Sequence, residues 1–325
     1  MTCHDIDDYV EVQSTIQKKQ ETLQMTLAII SLLASLSIVI ILSLKYKKLV
    51  EDKPFIYYIY MIAIADSGVS FSFSLGFPLQ GPVCSMQGFL FMFFGRASWM
   101  FTLALIFQLY YMAIYMKVYF SNRFSFRLIW TLSLSSNLIP LAFQTWYGVQ
   151  SKLEGIESCF YNGKNSEIFI FLWVAEQIIV FALILGFTAR IIVHAFLEYK
   201  KSLNVQNIAI IPISNHIKNT MVFYPLAMLF TWSPNIIYIF VNNSNYVHNC
   251  MKSAHPVYYG NYFNMLVPLY GFFLSIIFYT RTKDGREEWI QLIKSLFTST
   301  NTINNRDIAR ESAVDLSPMQ SNDFI

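Results

Sequence analysis

The chain has 325 residues, of which 55 % are hydrophobic, 17 % aromatic and only 13 % charged, with a mean hydropathy of +0.43. An ordinary soluble domain carries about 25 % charged residues, so these proportions exclude that class and point to a polytopic membrane protein. The net charge of +3 is small and sits between the apolar runs, where it carries topology information; no nucleic-acid partner is expected.

Residues 1–22 are polar and partly acidic, with Asp5, Asp7, Asp8 and Glu11. They lack the apolar core after a basic start that marks a cleavable signal peptide. The first apolar segment is therefore expected to act as its own signal anchor. About 20 apolar residues cross a bilayer, and seven segments qualify: Leu23–Leu44, Pro54–Phe77, Cys84–Tyr115, Leu128–Trp146, Ile168–Val193, Thr220–Val241 and Asn261–Thr280. Pro54 suits a first helical turn.

Lysine and arginine are unevenly shared between the two sets of loops. One set holds Lys45, Lys47, Lys48, Lys53, Lys117, Arg123, Arg127, Arg190, Lys200, Lys201, Lys218, Arg281, Lys283 and Arg286. The other holds Lys18, Lys19, Lys152, Lys164 and Lys252. Basic short loops stay in the cytoplasm, which predicts an extracellular N-terminus in a multi-pass plasma-membrane protein. All four cysteines (Cys3, Cys84, Cys159 and Cys250) then lie in the oxidising compartment. A Cys84–Cys159 bridge would pin the second outer loop over the bundle; the alternative is two free thiols. Cys3 and Cys250 are a candidate second pair. Asn242, in Asn242-Asn243-Ser244, is a glycosylation sequon just beyond the sixth segment.

Beyond the seventh segment, Trp289, Ile290, Ile293, Leu296 and Phe297 repeat at helical spacing with charge opposite. That pattern predicts a short helix lying on membrane lipid. The polar remainder reads as a disordered tail, with Ser299, Ser312 and Ser317 open to phosphorylation. The expected organisation is an extracellular N-terminus (1–22), a seven-transmembrane bundle (23–281), an amphipathic cytoplasmic helix (282–297) and a cytoplasmic tail (298–325). The fold class is all-α: a seven-transmembrane helix bundle with a short interfacial eighth helix.

Three charges fall deep inside the spans, away from their ends. Asp66 follows Pro54 by 12 residues and Arg96 follows Cys84 by 12, so each lies about 18 Å deep at 1.5 Å per residue. Glu176, in the fifth segment, lies about 12 Å deep. A charge at such depth needs a partner. Arg96 and Glu176 reach a similar level, so two readings stand. In one they form a permanent pair. In the other Arg96 meets an anionic ligand, which its planar fork suits, and Glu176 a neighbouring polar or cationic group.

Seven segments, a cysteine pair and an interfacial helix together resemble a G-protein-coupled receptor. Ile62-Ala-Ile-Ala-Asp66 is similar to the second-helix pattern of rhodopsin-like members, which implies a sodium or water site at Asp66. Trp130 and Pro140 have the family's fourth-helix spacing. Phe230-Thr-Trp-Ser-Pro234 resembles the sixth-helix hinge, with Trp232 two residues before a proline expected to kink the helix. The usual inner motifs are replaced by Gln108-Leu109-Tyr110 and Leu274-Ser275-Ile-Ile-Phe278, so the standard ionic lock is missing. Trp99 to Tyr110, and Gly271-Phe-Phe-Leu-Ser275, resemble the slime-mould cyclic-AMP receptors, although Leu274 stands where that family has asparagine.

The resemblance implies an extracellular small-molecule or peptide ligand, a heterotrimeric G protein, and switch positions at Asp66, Tyr110, Trp232, Pro234 and Ser275. The expected ligand wall, above Trp232, holds Arg96, Ser98, Glu176, Gln177, Asn235, Tyr238, Tyr258 and Tyr262. No enzyme motif and no metal spacing among His4, His194, His216, His248 and His255 is found, and no cofactor is expected. Asn261–Thr280 contains no lysine, which a retinal protein would need there. The rival reading is a small seven-helix transporter or channel, but the internal repeat common in transporters is missing.

Overall fold

The computed structural model describes residues 6–52, 54–76, 81–115, 122–143, 145–149, 159–163, 165–204, 222–245, 266–281, 286, 287 and 290. Seven helices occur among the described residues: α1 Ile6–Asp52, α2 Pro54–Ser74, α3 Pro82–Tyr115, α4 Asn122–Ala142, α5 Ser166–Asn204, α6 Phe223–Asn245 and α7 Tyr270–Arg281. The fold is a seven-helix membrane bundle. Among the described residues, four helices are long and apolar enough to cross a membrane by themselves, over Glu21–Leu44, Phe55–Ser74, Pro82–Tyr115 and Ile168–His194.

Local chemistry explains the helix ends. Pro54 opens α2, where a missing N–H costs nothing. Gly76, at φ +86°, turns the chain out of α2, a conformation that glycine adopts without strain. The carbonyls freed at that end accept from α3: Gln87 Nε2 donates to Ser72 O at 2.8 Å and to Gly76 O at 2.9 Å. Gly81, at φ +71°, then leads into Pro82 at the head of α3.

The long third helix is the axis of the bundle. It packs against α2, α4, α5 and α6. Gly68 of α2 lies under the Phe94 ring of α3, leaving no room for a Cβ. Trp130 of α4 packs on Phe93 and Phe101 of α3 at ring separations of 5.2 and 5.6 Å. By contrast, α1, α4 and α5 turn large apolar side chains outward, among them Leu33, Ile139, Phe171 and Ile179. In lipid such faces carry no hydrophobic penalty, and close helix contacts fall to small and polar residues.

The structure departs from the sequence reading in several places. The seven-helix, essentially all-α bundle stands, with a short hairpin added to it: Thr145–Val149 (β1) and Cys159–Gly163 (β2) pair antiparallel, with Val149 opposite Cys159 and Thr145 opposite Gly163. Trp146, expected to close the fourth helix, lies in β1 because α4 ends four residues earlier. Helix α1 begins at Ile6, far above its apolar run, and α5 runs on to Asn204. Asn242 lies in the last turns of α6 and not in a loop beyond it. Backbone hydrogen bonding continues α1, α5 and α6 past the point where hydropathy falls. The expected interfacial helix and tail, Cys3, Cys250, Tyr258 and Tyr262 lie outside the described residues, apart from the backbone positions 286, 287 and 290.

Candidate functional site

At one end of α3, Cys84 is bonded to Cys159 with Cα atoms 5.1 Å apart. The hairpin sits tightly on α3: a Cβ on Gly88 would lie 2.7 Å from Cys159 O and 3.2 Å from the Tyr147 ring. Ser85 Oγ donates to Tyr147 O at 2.6 Å. Tyr147 itself points down to α4, donating to Asn137 Oδ1 at 2.6 Å. One bridge, one small residue and two hydrogen bonds thus hold the hairpin across α3 and α4.

Below it lies an aromatic floor between α3, α5 and α6. Trp232 stacks on Phe91, with ring centroids 6.2 Å apart and planes within 8°, and meets Trp99 edge-on at 5.0 Å. Trp99 also touches Trp173 and Phe181 of α5. Gly95 makes room for Trp232: a Cβ there would be 3.3 Å from the indole Cη2. Both Trp99 and Trp232 are fully buried, and neither indole N–H has a hydrogen-bond partner.

The two mid-span charges meet at this level. Arg96 Nε donates to Glu176 Oε1 at 3.0 Å and to Oε2 at 2.9 Å. Their side chains are 4 % and 26 % exposed, so the arginine is sealed while the glutamate keeps an open flank. Arg96 Nη1 is buried without a partner. Gln177, next to Glu176, is fully buried, and both of its amide atoms lack partners. On α5 it lies one turn from Trp173 and one turn from Phe181, the two rings that flank Trp99. Buried polar atoms normally find partners. The unpaired set here contains four donors (Arg96 Nη1, Gln177 Nε2 and two indole N–H groups) and one acceptor, Gln177 Oε1.

A polar chain runs beneath the aromatic floor. Ser98 Oγ donates to Asp66 Oδ1 at 2.9 Å. Thr102 Oγ1 donates to Ser98 O at 2.8 Å and lies 3.3 Å from the Tyr270 hydroxyl, either of which can donate. Tyr270 reaches on to Tyr224 O at 3.4 Å. Four helices (α2, α3, α7 and α6) are thereby tied together. Ser98, read from sequence as part of the ligand wall, is committed to this chain. Asp66 is 2 % exposed, and its Oδ2 has no hydrogen-bond partner. A carboxylate at that depth requires a proton or a cation, and Oδ2 is the atom left open for one. Among the described residues no cluster of three His, Cys, Asp or Glu could hold a metal ion, so a cation here would rest on one carboxylate and neutral oxygens.

The remaining sequence-selected positions are scattered. Tyr110 packs on Phe187 of α5 at 5.1 Å. Ser275 Oγ donates to Phe272 O within α7 at 2.8 Å. Pro234 lies inside α6, two residues from Trp232. Asn235 and Tyr238 are on α6, and their side chains lie outside the described residues, as do Tyr258 and Tyr262 entirely. Sequence reasoning passed over Gly95, Gln87 and Tyr270, whose roles come from close approach to another helix. A glycine one residue before the buried arginine was the available hint for Gly95.

No family model and no curated protein matches the chain. Among solved structures, the crystal structure of squid rhodopsin superposes with a TM-score of 0.65 at 16 % identity, covering 88 % of this chain and 87 % of that one. At that identity the likeness is one of fold: the chain shares the seven-helix architecture of that structure.

Proposed function

We propose that the protein is a plasma-membrane receptor, N-terminus outside, that binds an extracellular ligand and activates a heterotrimeric G protein. The observation that carries this reading is the Arg96–Glu176 pair, buried in a receptor-like bundle one helical turn from the aromatic floor that holds Trp232. In this proposal the outer segment is residues 1–22, the bundle 23–281, the cytoplasmic helix 282–297 and the tail 298–325. The lack of a lysine in Asn261–Thr280 argues for a diffusible ligand over covalent retinal.

The donor-rich character of the unpaired set favours a ligand with several acceptor oxygens, such as a small anion; a cyclic nucleotide is one member of that class. The ligand would compete with Glu176 for Arg96, using the vacant Nη1, while Gln177 reads a neighbouring group. Asn235, Tyr238 and Tyr262 are proposed to complete the wall. Movement of Trp232 would then be passed to α6 through the kink at Pro234, and to α7 through Ser98, Asp66 and Tyr270. Tyr110, toward the far end of α3, and Ser275, midway along α7, would respond to the outward swing. Such a ligand acts by binding one arrangement better than the other.

The test is a screen of small anions, cyclic nucleotides included, against the protein in nanodiscs, read by guanine-nucleotide exchange on a panel of purified G proteins. Exchange driven by a ligand and lost in Arg96→Ala supports the reading. Solute flux into proteoliposomes with no exchange on any G protein would replace it with the transporter alternative.

A further inference from the structure

Helix α7 does not begin cleanly. Leu266 is already helical, Val267–Leu269 form a single 3-10 turn, closed by the Tyr270 N–H donating to Val267 O, and the α-helix resumes at Tyr270. A regular ladder would next join the Phe272 N–H to Pro268 O, four residues back. Both ends of that rung are engaged by other helices. The Phe272 N–H donates to Ser31 Oγ of α1 at 3.0 Å. Pro268 O accepts from Ser70 Oγ of α2 at 3.4 Å. All three elements press together there, and Ser31 and Ser70 are almost completely buried.

The contact is made possible by Gly271. A Cβ at that position would overlap Ser35 Oγ and lie 2.8 Å from Ser31 Oγ. Ser35 in turn donates to Ser31 O within α1 at 3.0 Å, so the two serines form one small polar face against the glycine. At membrane depth every backbone polar group needs a partner, and irregular backbone survives where neighbouring serines or threonines supply one. A serine accepting from the third N–H of a helix is N-cap chemistry; here the cap comes from a different helix.

We infer that Ser31 and Ser70 hold open a hinge in α7 at Pro268–Phe272, a two-position joint whose alternative arrangement closes the Phe272–Pro268 rung within α7 itself. Each arrangement satisfies the same two backbone groups, the Phe272 N–H and Pro268 O. The joint is coupled to the rest of the bundle, because Tyr270 lies between its two ends and contacts Thr102 and Tyr224. Closing the rung turns Tyr270 relative to α3 and α6 and releases α1 and α2. The device requires only the bundle, and holds whichever ligand or transducer the protein uses.

The test is hydrogen–deuterium exchange at the Phe272 amide, in the full-length protein in nanodiscs, without ligand or G protein. Its failure is therefore separable from failure of the receptor reading. Ser31→Ala removes the outside partner of the Phe272 N–H, and Ser70→Ala removes the competitor for Pro268 O, so each shifts the joint toward the closed rung, in which the Phe272 amide stays bonded. Exchange at Phe272 should therefore be no faster in either single variant, or in the double, than in the unmodified protein. Acceleration of roughly threefold in Ser31→Ala, the scale of one interhelical hydrogen bond in a membrane, shows that no closed arrangement takes over and overturns the hinge. Gly271→Ala provides a second route, since its methyl group separates α7 from Ser31 and Ser35. It should slow Phe272 exchange by closing the rung; acceleration there also overturns the proposal. Ser35→Ala keeps the glycine contact and should leave Phe272 exchange unchanged.

Discussion

Arg96 Nε lies within 3.0 Å of both carboxylate oxygens of Glu176, joining α3 to α5 at the level of Trp99. A buried pair loses much of its Coulomb gain to desolvation, but removing one partner strands the other. Glu176→Gln leaves a sealed guanidinium without its counter-charge. It should lower stability by about 3–5 kcal/mol, read as a fall in Tm of the purified protein in nanodiscs. The double variant Arg96→Met/Glu176→Gln, with neither charge present, should recover most of that loss. A double variant as unstable as the single would show that the pair is not the source.

The hairpin over α3 depends on the missing side chain at Gly88. Gly88→Ala places a Cβ 2.7 Å from Cys159 O, a backbone atom that cannot rotate away. Overpacking of this kind costs about 1–3 kcal/mol. The expected outcome is reduced surface expression and a fraction of protein whose Cys84 and Cys159 react with a thiol reagent under denaturing, non-reducing conditions. Ser85→Ala, which removes only the hydrogen bond to Tyr147 O, should show a smaller effect in the same assay.

Gly95 sets how closely Trp232 approaches α3. Gly95→Ala forces the indole to give by a few tenths of an ångström, which disfavours the packed arrangement on Phe91 and Trp99. If outward movement of Trp232 is the activating step, ligand-free nucleotide exchange on the responsive G protein should rise several-fold in Gly95→Ala. Adding Trp232→Phe removes the ring that collides and should bring the rate back toward that of Trp232→Phe alone. Additive rates would separate the two positions.

Asp66 Oδ2 is the open atom of the polar chain. A sodium ion bound there stabilises the bundle in proportion to RT ln(1 + [Na⁺]/Kd). Tm measured in sodium should therefore exceed Tm in an equal concentration of N-methylglucamine, and the difference should vanish in Asp66→Asn. Equal Tm values in the two cations for the unmodified protein would leave a proton as the neutralising species.

The seven-helix bundle was legible because its signal is local. Runs of about 20 apolar residues, broken by prolines, glycines and basic flanks, reflect the thickness of a membrane, and no long-range contact is needed to read them. That Arg96 and Glu176 reach a similar level was legible for the same reason, since rise per residue converts a count into a height along the helix. Their choice of one another was not, because height leaves open which way each side chain points around its helix.

Pairings among elements belonged to the tertiary structure. Helix α4 reads as ending at Trp146, yet Thr145–Val149 becomes a strand because Cys159 and its neighbours supply a partner ladder. Ser98 reads as a lining residue and turns instead to Asp66. Ser31, Ser70 and Gly271 look unremarkable in apolar runs, and meet only when α1, α2 and α7 pack at the broken start of the last helix. By itself the sequence determined that the chain forms a seven-helix membrane bundle and how far along its helix each charge lies, because hydropathy and helical rise are properties of a single segment. Only the packed bundle decided which polar groups satisfy one another, because a side-chain partner on another helix is chosen by rotation and approach, and neither is written in one segment's composition.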